Sequence, residues 1–164
     1  MRDPEPYAVE CMKELDALNI RYSPNISFVI NTRATTRLGL CKKLGNNYVI
    51  EISSLLLDER VDAVRGLKTT IMHELLHTCR GCMKHTGRWA ELAAKVNAAY
   101  GYHVTRAASP DEGIIPGELR KPPRYFIRCV KCGTQIPRQK RSPLVNHPEN
   151  YRCAKCGGAL QRLK

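Results

Sequence analysis

Two cysteine pairs, Cys129-x-x-Cys132 and Cys153-x-x-Cys156, leave the end of this chain little choice of fold. Twenty residues separate the pairs, a spacing typical of four-cysteine sites that clamp one structural zinc ion. Glycine follows each pair, at Gly133 and Gly157, and lets the backbone turn so that its amides face the thiolates. The surroundings repeat as well: Phe126 to Gly133 is echoed by Asn150 to Gly157, so the tail is an internal duplication. A tail of about 40 residues is too short for a core of its own, and a bound metal would supply its folding free energy. Iron–sulfur clusters use other spacings, so zinc is the expected ion.

Cysteine usage extends the inference to the whole chain. Six of the eight cysteines fall in three Cys-x-x-Cys pairs, where chance at this composition gives roughly 0.4 pairs. The amino terminus, Met1-Arg2-Asp3-Pro4-Glu5-Pro6, is acidic and proline-containing where a secretory signal needs a basic start and an apolar run. A cytoplasmic, reduced protein is expected, with cysteines serving metal rather than disulfides. No window of 18 apolar residues offers a membrane span.

At 164 residues the chain can bury one core of ordinary size and carry a small appendage. Its net charge of +12 is uneven. Residues 1–116 hold 15 Lys/Arg against 13 Asp/Glu, whereas residues 117–164 hold 12 against 2. Arg124, Arg128, Lys131, Arg138, Lys140, Arg141, Arg152 and Lys155 crowd the cysteine pairs, with Tyr125, Phe126 and Tyr151 available to stack on unpaired bases. A concentrated positive field attracts polyanions, so the tail is expected to bind DNA, single-stranded or at junctions. The plainer alternatives are a solvated basic surface or a structural lid.

Upstream, Val9, Met12, Leu15 and Leu18 recur at helical spacing between Glu5 and Asn19. Ile26 to Ile30 and Tyr48 to Ile52 read as strands, with a weaker strand from Arg33 to Cys41 and a turn at Gly45-Asn46-Asn47; a three-stranded meander is the simplest arrangement. After Asp58 the period becomes 3.6, with Val61, Val64, Leu67, Ile71 and Leu75 on a long helix that ends near Thr78 and that Gly66 could kink. Another helix is predicted from about Thr86 to Tyr100, stopped by Gly101. Prolines and glycines from Ser109 to Pro123 mark a linker.

The second helix carries His73-Glu74-Leu75-Leu76-His77. Residues four apart share a helical face, so both imidazoles can reach one ion. Glu74 sits about 100° round from His73, where its carboxylate can take a proton from a water activated by zinc. That is the chemistry of amide hydrolysis without a covalent intermediate. A catalytic zinc needs a third protein ligand and an open position. A metzincin would place glycine and histidine three and six residues past His77, where this chain has Arg80 and Met83. The remaining candidates are His85, preferred because its loop returns toward the site, and Glu91 on the next helix. Cys79 and Cys82 lie between His77 and His85 and fit a redox latch, spare ligands or simple loop packing; they are not assigned to the site.

The sequence His73-Glu74-x-x-His77 followed by His85-Thr86-Gly87-Arg88-Trp89 resembles the SprT-like metallopeptidases, as do Arg37-Leu38-Gly39 and the C-terminal cysteine pairs. The resemblance implies an α+β fold: a small zincin-like domain over residues 1–116, a three-stranded sheet packed with helices, then a basic four-cysteine zinc ribbon over 117–164. It implies His73, His77 and His85 as ligands of a catalytic zinc, Glu74 as general base, and Cys129, Cys132, Cys153 and Cys156 around a structural zinc. The Spartan branch of the family cleaves proteins crosslinked to DNA and needs DNA for activity. The expected function is a zinc endopeptidase acting on DNA-associated proteins. Its rival is a non-catalytic, zinc-stabilised nucleic-acid-binding protein with a vestigial HExxH site.

Overall fold

The computed structural model describes residues 1–34, 37–59, 64–106 and 122–163. The fold is α+β and divides into two compact units, Met1–Arg120 and Lys121–Lys164. Of the expected linker from Ser109 to Pro123, residues 109–121 lie outside the described residues, as does Val61. Among the described residues no helix is long and apolar enough to cross a membrane.

The first unit opens with α1 (Glu5–Ala17), followed by β1 (Ile26–Asn31), β2 (Gly39–Leu44), β3 (Asn47–Ser53), a 3-10 turn at Ser54–Leu57, α2 (Val64–His77) and α3 (Arg88–Tyr100). Helix α1 buries Ala8, Cys11 and Leu15 with Met12 and Leu18 packed beside them, while Val9 is 45% exposed. The predicted stripe was thus one position off at Val9: small Ala8 and Cys11 allow close approach to α2, and the bulkier Val9 faces water.

The sheet is not a meander. Its order is β1-β3-β2, with β1 parallel and β2 antiparallel to β3. Strands β2 and β3 form a two-residue hairpin in which Gly45 adopts φ +60°, the backbone that a tight hairpin asks of its first turn residue. That hairpin sends β3 into the centre, where Tyr48, Ile50 and Ile52 face the helices and are buried. The lysines Lys42 and Lys43 remain on the edge strand, where charge blunts unwanted pairing. Strand β2 begins at Gly39 rather than Arg33.

Helix α2 supplies the centre of the core with Leu67, Ile71, Met72, Leu75 and Leu76, all fully buried. It continues from Val64 to His77, and Gly66 is buried within it without ending it. Helix α3 contributes Trp89, Ala93 and Val96 and stops at Gly101, whose left-handed φ of 66° forms its C-cap.

The second unit is a three-stranded antiparallel sheet, β5 (Gln135–Arg138), β4 (Tyr125–Cys129) and β6 (Leu160–Arg162) in that order, with one helical turn, α4 (Pro143–Asn146). The duplication read in the sequence is repeated in the backbone bonds. Cys129 N–H donates to Thr134 and Gly133 N–H to Cys129; Cys153 N–H donates to Gly158 and Gly157 N–H to Cys153. The buried residues are Ile127, Val145 and Leu160 around Cys129 and Cys153.

Candidate metal centre

The apolar side of α2 is fixed by the core, so its opposite side turns Thr70, His73, Glu74 and His77 toward a cleft of about 410 Å³. Edge strand β2 forms one wall of that cleft and His103 to Arg106 another. After His77 the chain turns at once. Thr78 Oγ1 donates to Leu75 O at 2.7 Å, Cys82 N–H to Cys79 O at 3.1 Å, and Gly81 and Gly87 take φ of +80° and +55°. This loop brings His85 back over α2.

The three imidazoles converge. Nε2 of His77 lies 3.3 Å from that of His73 and 3.0 Å from that of His85, and the His73–His85 separation is 2.9 Å. Three nitrogens at about 2.0–2.1 Å from a tetrahedral zinc would stand roughly 3.3 Å apart, so the spacing fits that ion. Burial is the main cause that lowers the pKa of all three rings, His73 to about 4, with His77 and His85 adding to it there and Arg106 at His85. Neutral rings keep the lone pairs that a metal needs. His77 Nδ1 donates to Cys82 O at 2.7 Å, leaving Nε2 free for metal, and a backbone bond to Thr105 holds His73. The ring of Trp89, 2% exposed, backs all three histidines at centroid distances of 4.9, 5.5 and 4.7 Å.

Glu91 is exposed in the first turn of α3 and does not join the cluster, which contains His73, His77 and His85. Replacing His85 by alanine is therefore expected to lower bound zinc by one equivalent, and Glu91→Ala to leave it unchanged. Trp89 is the single tryptophan of the chain, so its fluorescence during zinc titration reports the site directly. Zinc loss in Glu91→Ala but not in His85→Ala would reverse the choice.

Glu74 is 6% exposed. Burial pushes its carboxyl up to about 7, against the pull of the Cys41 backbone N–H and the Arg37 guanidinium; a bound cation nearby would bring it down again. The contact with β2 depends on Gly39. A Cβ at Gly39 would lie 2.6 Å from Glu74 Oε1 and 2.8 Å from Thr70 Cγ2. Gly39→Ala must therefore displace Glu74 or the strand, and a fall in hydrolysis of about tenfold or more with zinc content retained is expected, measured as initial rate against metal content. An unchanged rate would show that the strand yields instead.

The model of the SprT-like family matches residues 8–108, which takes in α1 from Ala8 onward, the sheet, α2, the histidine loop and α3. The chain belongs to the SprT-like family. The comparison with curated proteins returns no match. The first unit of this SprT-like chain is thus a metalloprotease-type domain, and the matched residues end before the cysteine-rich unit.

Within this SprT-like chain Cys79 and Cys82 contribute through the backbone. Both side chains are buried, burial raises both thiols, Cys79 to about 12, and neither sulfur joins the histidine cluster. Their part in the site is the Cys82 carbonyl on His77.

In the second unit the four sulfurs of Cys129, Cys132, Cys153 and Cys156 lie within 4.8 Å of one another. Cys129 Sγ is 3.4 Å from Cys156 Sγ, and Cys132 Sγ 3.7 Å from Cys153 Sγ. A tetrahedral zinc with bonds of about 2.3 Å would set its sulfurs roughly 3.8 Å apart, so the group fits zinc. Gly133 and Gly157 take φ of +71° and +69°, which makes the two knuckles. Gly158 matters for another reason: a Cβ there would meet Lys131 Cβ at 2.7 Å and Cys129 Sγ at 2.9 Å.

All eight basic residues proposed from the sequence, Arg124, Arg128, Lys131, Arg138, Lys140, Arg141, Arg152 and Lys155, are exposed. They do not share one face. Strand register places Arg128 beside Phe126's side of the small sheet and Arg138, opposite Tyr125, on the other. Arg162 lies over the Tyr125 ring at 5.1 Å, which occupies one face of that ring, while Tyr151 is 40% exposed.

Proposed function

We propose that this protein is a zinc-dependent endopeptidase that acts on DNA-associated or DNA-crosslinked proteins. The observation that carries the hydrolytic part is the convergence of three neutral imidazoles beside one buried carboxylate in an open cleft. His73, His77 and His85 would hold the zinc, which supplies a Lewis acid for a peptide carbonyl and makes water easier to deprotonate. Glu74 takes a proton from the attacking water and returns it to the departing amine as the C–N bond breaks. The Cys41 N–H holds the carboxylate toward the cleft, and β2 and the His103 to Arg106 segment confine the substrate between them.

The DNA part rests on the tail. Its exposed cations and the open ring of Tyr151 suit single-stranded or junction DNA, and such binding weakens steeply with salt. The test uses the zinc-loaded chain on one protein presented free and crosslinked to single-stranded DNA, with Glu74→Gln as background. Cleavage no faster than that background removes the peptidase reading. Equal cleavage of free and crosslinked protein, or salt-insensitive DNA binding, removes the DNA part.

A further inference from the structure

A second groove, of about 610 Å³, opens on the first unit beside the cleft, and Met83 stands in the wall of both. Its cations come from three separate segments: Arg21 ahead of β1, Lys43 on β2, and Arg80 and Lys84 in the loop that carries His85. All four are exposed, and among the described residues none of them forms an ion pair. Among the described residues no acidic one lines the groove, and in the adjoining cleft the one acidic lining residue is Glu74.

Ordinary solvated surfaces intersperse the two signs. Residues 1–116 are nearly balanced, 15 Lys/Arg against 13 Asp/Glu, so four cations and no acid in one concavity is a local concentration. A concave wall carrying one sign of charge focuses its field on whatever enters. The two hollows adjoin at Met83, and β2 lines the cleft with Gly39, Leu40 and Cys41 and the groove with Lys43, so an extended polypeptide lying along β2 past Glu74 would reach the cations. We infer that this groove extends the substrate cleft and selects substrates with acidic side chains on one side of the scissile bond. The inference rests on the peptidase reading above.

A nucleic acid strand is the weaker fit for this groove. Unpaired bases bind where aromatic faces are open, and neither tyrosine in the wall offers one. Tyr48 is 9% exposed with Lys43 Nζ 5.8 Å from its ring centroid, and Tyr22 is half-buried with its hydroxyl on Asp16 at 3.3 Å. The groove supplies charge and a channel but no stacking platform.

The test separates binding from hydrolysis. Zinc-loaded, full-length Glu74→Gln is titrated with two labelled peptides of equal length, one with Asp and Glu flanking a central apolar pair and one with Ser and Gln there, and with a single-stranded oligonucleotide. The acidic peptide is expected to bind about tenfold more tightly at low salt, and the difference to shrink as the screening length falls from about 10 Å at 0.1 M to about 3 Å at 1 M. Arg80→Glu with Lys84→Glu, and separately Lys43→Glu on a different element, should each reduce the preference, with circular dichroism and zinc content confirming that the variants fold.

Equal affinity for the two peptides, or a preference that survives every variant, overturns the inference. Variants that lose the oligonucleotide but keep the acidic preference give the groove to nucleic acid and overturn it too. Hydrolysis of an unstructured protein by the wild type is measured alongside. Hydrolysis without acidic preference sinks the groove alone; preference without hydrolysis leaves the groove as an acidic-peptide site and sinks the peptidase reading.

Discussion

Glu74→Gln is expected to slow hydrolysis by about 10²–10⁴-fold, the usual range for losing a positioned general base, while leaving zinc content and fold unchanged. Glutamine has the same shape, so it still fits against Gly39 and Thr70 where a further methyl group would not. Its carbonyl oxygen still accepts from the Cys41 N–H. What it lacks is a basic oxygen to receive the proton of the attacking water. The histidine cluster does not include Glu74, which is why metal content should be indifferent to the change. Initial rates on an unstructured protein, paired with metal analysis of the same samples, check both halves. A variant that keeps more than about a tenth of the wild-type rate would show that another group takes the proton, and one that loses zinc would mean that Glu74 belongs to the ligand set.

How much of this site could be read from the residues depends on how local each feature is. His73, Glu74 and His77 lie within one and a half turns of a helix, so spacing alone predicts their common side. The two cysteine knuckles are likewise short-range, and the left-handed Gly133 and Gly157 that they need stand next in sequence. His85 and Glu91 could not be separated by spacing, because the choice lies with a loop whose turns at Gly81 and Gly87 and whose Cys82 carbonyl bond act only once the chain folds.

Strand order failed for the same reason. The β2–β3 hairpin is local and was legible, but the parallel β1–β3 pairing joins segments about 20 residues apart and is decided by which strand the helices can cover most fully. Spacing gave neither Gly39 nor Gly158 a part in a site, and Gly39 entered only through the resemblance carried by Arg37-Leu38-Gly39. Each is needed because a distant side chain, Glu74 in one case and Cys129 in the other, passes within contact distance. For Gly158 the hint was the consecutive Gly157-Gly158, since the first knuckle has Gly133-Thr134 at the corresponding place.

The second large effect is expected from Cys153→Ser, which should unfold the second unit and lower bound metal by one equivalent. The apolar side of that unit is small: apart from cysteines, its buried apolar residues are Ile127, Val145 and Leu160. Three aliphatic side chains are too little apolar burial to hold a unit of about 40 residues folded by themselves. A structural zinc contributes about 10–16 kcal/mol, and Cys153 is central to its site. Its sulfur is 3.7 Å from Cys132 Sγ, and its N–H and C=O close the second knuckle through Gly158 and Gly157. Serine keeps the backbone bonds but not the thiolate, so failure of the variant isolates the metal's share. The basic residues make the readout simple. The nine Lys/Arg from Arg124 to Arg162 are trypsin sites, none of them followed by proline, and are protected to the extent that the unit is folded. Cys153→Ser, and the wild type after chelation, should therefore be cut rapidly throughout 124–162, while the zinc-loaded wild type resists there. Protection that persists in the variant or after chelation would mean that the small core and its hydrogen bonds suffice without metal.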